Sequence, residues 1–333
     1  MRPAVLAFAL AVSGASAWAQ RPRLPIPIRG QAADPTPAER AFSAGEVMLR
    51  AGDTAGAASR FEEARRLDAR DPRPVFYLGE VARAQEAWTT AADRYAEALA
   101  LDPTMVEAMV QRAVVLRELG RSTEAVPLLR QALQRAPALG EAMLDLAECL
   151  EDLGDVAGAL TWYRAASGRL QADARAPLSV GLLLADPSRA ATPAERTEAV
   201  SMLREAVRRA PADVPTLSSA GPALRRLGET TAAVAALRRA VQGGVAASVR
   251  GELAQALWAA GDRTAALHEA SAASNAAPAD LTLRYVLGLM QAETGDVAAA
   301  EGSLRAVSSG AAEAGLRQRA TAALRRITGA ARR

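Results

Sequence analysis

Side chains that could carry out chemistry are scarce in this chain of 333 residues, and they lie far apart. The single cysteine, Cys149, excludes an intramolecular disulfide, and it would act as a nucleophile only with a base such as histidine beside it. The single histidine, His268, falls in a distant part of the chain. We therefore expect neither a cysteine–histidine pair nor a metal site built on these two residues.

Acidic residues are plentiful, as at Glu148, Glu151 and Asp152. Such acids are typical of the solvated face of an amphipathic helix rather than of a catalytic carboxylate pair. The chain also lacks a phosphate-binding loop, a glycine-rich dinucleotide-binding turn and a paired cysteine motif. The sequence therefore predicts a protein that is not an enzyme and that uses no cofactor and no metal ion.

The elements that must carry the functional residues are indicated by an internal repeat between Pro72 and Pro137. A fixed period in this range marks an array of helical repeats. Positions 34 residues apart hold matching residues: Ala91 and Ala125, Tyr95 and Leu129, Ala98 and Ala132, Pro103 and Pro137.

Each copy contains two helical patterns separated by a short turn. Small residues such as Gly79 and Ala91 allow two antiparallel helices to approach closely, while Tyr95 fills the space beside them. The Asp102–Pro103 pair ends the second helix, because proline disfavours helical geometry in the preceding residue. A composition with only 4% aromatic residues and abundant alanine suits thin helical layers. A single helix pair of this kind leaves an apolar face exposed, so neighbouring pairs must cover that face.

This pattern resembles the tetratricopeptide repeat. The resemblance implies an all-α, right-handed α-solenoid of about eight helix-turn-helix repeats over residues 38–312, followed by a C-terminal capping helix. The turn between the two helices carries a recurring glycine, as at Gly52, Gly120 and Gly154, while the fifth unit has a turn longer by six residues. Extending the period predicts units that begin near Ala38, Pro72, Val106, Gly140, Ala174, Val214, Ala247 and Leu281.

Two irregularities fall in the fifth and sixth units. The long turn contains Pro187 and Pro193, and Pro222 lies inside the first helix of the sixth unit, where it removes a backbone hydrogen bond and should bend or break that helix. Together they could divide the array into two halves. The alternative is tolerated drift in a repeat protein.

The resemblance also implies where a partner would bind, since first helices line the concave groove of this family. Phe76, Trp258 and Tyr285 are the large anchors that such a groove requires, unless they pack against the next unit. The family's chaperone clamp is not expected, because the chain has no lysine and its single asparagine, Asn275, lies outside the groove positions. The predicted groove residues are Phe76, Glu80, Arg83, Arg117, Leu144, Glu148, Leu182, Arg225, Trp258 and Tyr285.

The N-terminal segment is typical of an exported bacterial protein. Residues 1–19 combine a basic head, a short apolar run and an Ala17–Trp18–Ala19 cleavage site, which predicts a signal peptide cleaved after Ala19 and a periplasmic or secreted protein. An uncleaved anchor is the alternative. Residues 20–37 are rich in proline and predict an extended linker, whose arginines are either solvated or in contact with an anionic surface.

Charge is unevenly distributed along the chain. Residues 311–333 contain six arginines and one acid, whereas residues 31–310 contain thirty arginines and thirty-six acids. The isoelectric point near 9.6 therefore comes from the two ends of the chain. The excess of acids in the repeat array argues against a groove that binds nucleic acid. Residues 313–333 are expected to form a basic capping helix and tail, for which a peripheral contact with an anionic membrane surface is an alternative role.

Two functions of different classes remain open from the sequence. The first is a non-enzymatic scaffold that binds a protein or peptide in its groove. The second is an accessory or catalytic subunit handling cell-envelope material, which would need a ligand-sized cavity with convergent acids near Leu182 and Pro222.

Overall fold

The structure is a computed structural model and describes residues 34–330. Within this range the chain forms seventeen α-helices and no strand, which confirms the predicted all-α class with eight helix pairs and a final helix. The predicted signal peptide, residues 20–33 of the predicted linker and residues 331–333 lie outside the described range. Residues 34–170 belong to one compact unit, the N-terminal unit, and residues 171–330 to a second, the C-terminal unit.

The N-terminal unit contains four helix pairs. Its helices are α1 (Pro37–Arg50), α2 (Thr54–Leu67), α3 (Pro72–Ala84), α4 (Trp88–Leu101), α5 (Val106–Glu118), α6 (Ser122–Arg135), α7 (Gly140–Asp152) and α8 (Val156–Arg169). Each first helix packs on its own second helix, and the first helices of the second, third and fourth pairs also pack on the second helix of the pair before them.

The C-terminal unit contains four further pairs and the final helix. Its helices are α9 (Arg175–Leu184), α10 (Pro193–Arg209), α11 (Val214–Arg226), α12 (Thr230–Gln242), α13 (Ala247–Ala259), α14 (Arg263–Ala276), α15 (Leu281–Glu293), α16 (Val297–Gly310) and α17 (Ala314–Ala330). No helix within residues 34–330 combines the length and apolar character needed to cross a bilayer.

A small residue on the first helix faces a large residue on the second within the pairs. A Cβ atom added to Gly79 would lie 2.6 Å from the Tyr95 ring, and one added to Gly221 would lie 2.5 Å from Leu237 Cγ. Both Tyr95 and Leu237 are fully buried. The close approach of the two helices therefore depends on the missing side chain.

Turns between paired helices repeatedly contain a glycine with a positive φ angle followed by an aspartate. Gly52, Gly154 and Gly261 adopt positive φ angles of 82°, 76° and 84°, which glycine tolerates because it has no Cβ. The next residue is an aspartate that caps the second helix: the Asp53 carboxylate, for example, accepts a hydrogen bond from the Gly56 backbone N–H at 2.8 Å. The recurrence of Gly–Asp in the sequence thus has a backbone cause.

The irregular fifth and sixth pairs keep their helices. α9 has only 10 residues and α10 has 17, so the additional residues of the fifth pair lie in its turn and in a longer second helix. Thr192 and Glu195 form a capping box at the start of α10. Of the bend or break expected at Pro222, the break does not occur: α11 continues through Pro222, because each helix is also held by tertiary packing.

Candidate functional site

The first helices of the N-terminal unit present the same positions on one side. The second, fifth, ninth and twelfth residues, counted from the predicted unit starts Ala38, Pro72, Val106 and Gly140, are spaced so that they share one helix face. We call this set the N-terminal first-helix face. Its residues are Glu39, Phe42, Glu46, Leu49, Arg73, Phe76, Glu80, Arg83, Glu107, Val110, Val114, Arg117, Glu141, Leu144, Glu148 and Glu151.

Side-chain contacts join neighbouring first helices along this face. The Tyr77 hydroxyl of α3 donates a hydrogen bond to Glu46 of α1 at 3.1 Å. The Arg117 guanidinium of α5 forms an ion pair with Glu148 of α7 at 2.6 Å. These contacts show that α1 adjoins α3 and that α5 adjoins α7.

The apolar positions of the face form its floor and are buried, except Leu49, which is half-buried. Phe76 is only 7% exposed, and its ring centroid lies 5.5 Å from those of both Tyr77 and Tyr95. Leu144 is fully buried. The predicted anchor Phe76 and the predicted groove residue Leu144 are therefore core residues, and charged side chains supply most of the exposed part of the face.

A hydrogen-bonded group centred on Glu80 spans the second pair. Glu80 accepts a hydrogen bond from the Tyr95 hydroxyl at 2.5 Å and pairs with Arg83 at 2.9 Å. The pKa of Tyr95 lies well above its ordinary value, chiefly because the residue is buried and also because of the negative charge of Glu80. Burial alone would lower the pKa of Arg83, but Glu80 and, to a smaller extent, Tyr95 together raise it. Predicted residues Glu80 and Arg83 are thus brought together as a half-buried ion pair.

Negative charge collects around Arg117. Burial would lower the pKa of Arg117, yet the nearby Glu148, Asp145 and Asp152 raise it. The Cys149 thiol is fully buried, and burial chiefly raises its pKa to about 12. The predicted residues Arg117 and Glu148 therefore lie together, inside a surrounding of excess acid.

The matching positions of the C-terminal unit form a different surface, the C-terminal first-helix face. It contains two arginines and no acid, whereas the N-terminal face contains seven acids and three arginines. Its residues are Arg175, Leu178, Leu182, Ala185, Pro215, Ser218, Pro222, Arg225, Ser248, Gly251, Gln255, Trp258, Thr282, Tyr285, Leu289 and Ala292.

The predicted residues of this face mostly make contacts within the chain. Leu182 is half-buried. Arg225 forms an ion pair with Glu252 at 3.0 Å, while its Nε atom is buried and has no hydrogen-bond partner among the described residues. The Trp258 ring is stacked by the Arg263 guanidinium, 3.9 Å from the ring centroid.

Tyr285 packs against the capping helix α17. It packs with Leu316 and Ala320 of α17, and the Arg319 guanidinium lies 5.7 Å from its ring centroid. Since α17 contacts this ring, Tyr285 contributes to the end of the C-terminal unit and not to an open anchor position.

Sequence comparison assigns the chain to a family. A family model described as "Tetratricopeptide repeat" matches residues 42–106, 110–177 and 252–314, which is more than half of the chain. The chain belongs to the tetratricopeptide repeat family. The residues between 177 and 252, which include the long turn and Pro222, lie outside these matches. None of the curated proteins matches the sequence.

Solved tetratricopeptide repeat structures share the fold. The C-terminal part of a repeat protein from Cytophaga hutchinsonii is 14% identical, with 72% of this chain and 97% of that chain covered and a TM-score of 0.58. A repeat protein from Parabacteroides merdae is 16% identical, with 76% and 98% covered and a TM-score of 0.53. PilW, described as a widely conserved type IV pilus biogenesis factor, is 16% identical, with 61% and 91% covered and a TM-score of 0.52.

Two charged residues inside the repeats were missed by sequence reasoning. Asp145 is 2% exposed in α7, and Arg112 in α5 has a buried Nε atom without a hydrogen-bond partner in the described chain. The available signal was a charge inside an apolar run, as in Leu144–Asp145–Leu146. Because buried charges need compensation, such a position merits notice even without a motif.

Two surface cavities of the described chain lie away from the position that an enzymatic subunit would need. A surface cavity of about 520 Å³ is lined by α16 and α17, including Arg317, Thr321 and Arg325, and another of about 330 Å³ lies on α10. Neither is lined by Leu182 or Pro222. Within residues 34–330, no group of three metal-ligating side chains comes together.

Proposed function

We propose that this tetratricopeptide repeat protein is a non-enzymatic scaffold that binds an extended segment of a partner protein across its N-terminal first-helix face. The observation that carries the proposal is the repeated placement of charged side chains over a buried apolar floor on four successive first helices. The family's repeats serve protein–protein interaction, and an extended segment crossing four helices would meet one set of side chains per repeat.

The Arg117–Glu148 ion pair allows a test that keeps net charge constant. The double variant Arg117→Glu, Glu148→Arg retains an ion pair but reverses its direction on the face, so recognition should change while folding is preserved. The protein would be applied to an array of synthetic peptides of all charge classes. We expect the peptides bound by the wild type to lose about tenfold or more in affinity, as loss of a central contact does.

The matched control is a swap on a second helix. Arg121, directly before α6, and Glu124, in its first turn, form an exposed ion pair at 2.7 Å. The double variant Arg121→Glu, Glu124→Arg reverses this ion pair at a site that does not belong to the face. This control should bind the same peptides as the wild type, with an equal circular-dichroism melting temperature. An unchanged peptide set for the face swap, or equal losses for both swaps, would count against the proposal.

Export belongs to the same proposal. The predicted signal peptide of residues 1–19 supports a scaffold that works in the periplasm or outside the cell. N-terminal sequencing of the protein from a Gram-negative expression host should give Gln20 as the first residue. An intact Met1 in the envelope fraction would instead support the uncleaved anchor.

The surface of α17 favours one second function, docking to an anionic membrane. Arg317, Arg319, Arg325 and Arg326 are exposed, while Leu316 is buried against α16, so contact would be electrostatic and not insertion of an apolar face. Vesicles with phosphatidylserine should sediment the protein at low salt, and substitution of the four arginines by glutamine should abolish this. Sedimentation that survives the substitution would exclude α17 as the contact.

A further inference from the structure

The partner class can be narrowed from the charge of the N-terminal first-helix face. Seven acids and three arginines give this face a net charge of −4, and the N-terminal unit as a whole has 22 acids and 16 arginines. The matching C-terminal face has a net charge of +2, from two arginines. Excess acid on the first face is thus not a general property of the chain.

The three arginines of the N-terminal face are already engaged. Arg73 is held by Asp71 at 2.6 Å, Arg83 by Glu80 at 2.9 Å and Arg117 by Glu148 at 2.6 Å. An acidic peptide would have to compete with these carboxylates for each guanidinium. A cationic peptide would instead meet carboxylates that exceed the available arginines.

Several acids of the face are open to solvent. Glu39 and Glu151 are exposed and Glu107 is half-buried, with the exposed Asp152 and Glu118 beside Arg117. The aliphatic and aromatic floor is covered, so affinity would come from charge and backbone contacts more than from an apolar anchor. Exposed ion pairs are weak singly, and a long segment is needed to add several of them.

We infer that the N-terminal first-helix face binds an extended, arginine- or lysine-rich segment of a partner protein. This inference rests on the proposed function and specifies its ligand. Adjacent helix axes are about 8–10 Å apart, so four first helices span roughly 30 Å, which an extended segment of about ten residues covers.

The raised pKa of Arg117 is consistent with a negative local potential, since burial alone would lower it and four acids on α5 and α7 reverse the effect. Burial chiefly raises the pKa of Cys149; Arg117 lowers it, while Asp145, Asp152 and Glu148 raise it further. The negative potential would attract a cationic segment and would weaken as salt is added.

The test uses two fluorescein-labelled peptides of about ten residues, one with alternating arginine and serine and one with glutamate in place of arginine. Fluorescence anisotropy with the full chain should show binding of the arginine peptide alone, weakened by added salt. The face variant Glu46→Gln, Glu107→Gln, Glu151→Gln should reduce that affinity about tenfold, from three contacts of roughly 0.5 kcal/mol each. Glutamine retains the oxygens that accept from Tyr77 and Tyr163.

A second triple variant changes the net charge equally on the second helices. Glu63→Gln, Asp93→Asn, Glu124→Gln alters exposed or half-buried acids of α2, α4 and α6. It should bind the arginine peptide within about twofold of the wild type, since screening weakens the effect of distant surface charges. Equal losses for both triples would mean non-specific attraction and would overturn the inference.

Two other outcomes separate this inference from the proposed function. If only the glutamate peptide binds, and the Arg117–Glu148 swap abolishes its binding, the face is a peptide site but the cationic class is wrong. If neither peptide binds, the cationic class is also wrong, and the peptide array with the two swaps decides the proposed function by itself.

Discussion

The two units of the chain use one packing rule with different side chains. In the N-terminal unit, glycines of first helices face aromatic rings, as Gly45 faces Phe61 and Gly79 faces Tyr95. In the C-terminal unit the large partner is leucine, as where Gly221 faces Leu237. The fold therefore needs a small residue against a large one, and it does not prescribe which large residue.

The exposed faces differ more than the interiors do. The N-terminal first-helix face is charged and acidic over a buried floor, whereas the C-terminal face has half-buried apolar residues such as Leu182, Pro222 and Leu289. Positions that pack are constrained by the neighbouring helix, while face positions are constrained only by what binds them. The difference indicates that function, if it follows the face, is not shared equally by the repeats.

The largest expected effect concerns the aromatic interior of the N-terminal unit. Tyr95→Ala should lower the free energy of unfolding by roughly 4 kcal/mol, as removal of a buried aromatic side chain does. Tyr95→Leu introduces the leucine that the C-terminal unit uses at this position. It should lower the free energy of unfolding by about 2–3 kcal/mol, because it loses the ring contact with Phe76 and the hydrogen bond to Glu80. Urea unfolding followed by circular dichroism measures both.

A Tyr95→Leu variant as stable as the wild type would contradict this comparison. The interiors of the two units would then be interchangeable, and the aromatic cluster would be incidental. Leu237→Ala, which should cost roughly 2–5 kcal/mol, shows that the assay detects loss of a buried residue in the other unit.

A smaller effect is expected at the turn of the second pair. Glu86 has φ 57°, and it occupies the turn position that glycine fills as Gly52, Gly120 and Gly154. A left-handed conformation costs a side-chain-bearing residue roughly 1 kcal/mol, so Glu86→Gly should raise the free energy of unfolding by up to that amount. The reverse change, Gly120→Ala, should lower it by a similar amount. Equal melting temperatures for Glu86→Gly and the wild type would show that the strain is relieved locally.

The sequence predicted the fold class because packing leaves a period. Ala91, Tyr95 and Pro103 each have a counterpart 34 residues later, and these are the close-contact, filling and helix-ending positions that the structure confirms in its helix pairs. The strained backbone of Glu86 was harder to predict from the sequence. Glycine marks this turn position in other repeats, and a glutamate in its place does not indicate a positive φ angle.

The face was harder to predict because a repeat position does not state its burial. Phe76 and Leu144 occupy groove positions of the family, yet both are buried, and the Phe76 ring packs on Tyr77 of its own helix and on Tyr95 of its own pair. The sequence predicts a bend or break at Pro222, yet α11 continues through it, because packing against other helices also stabilises α11. Charge pairing depends on contacts across repeats, as between Arg117 and Glu148, which lie 31 residues apart in sequence. Spacing along one helix does not reveal such pairs.

The last effect depends on pH and belongs to the N-terminal unit, which contains the only cysteine of the chain, Cys149. Burial chiefly raises the pKa of its thiol from 9.0 to about 12, with a contribution from nearby acids, so the folded chain retains a proton that the unfolded chain releases. The contribution to stability is complete below pH 9.0 and declines as pH rises towards about 12. Cys149→Ala should remove up to about 1.4 kcal/mol per pH unit from that decline, measured as the change in urea midpoint between pH ~8 and pH ~10. Parallel declines in the variant and the wild type would mean that the thiol ionises equally in the folded and unfolded states, which would contradict the effect assigned to its burial.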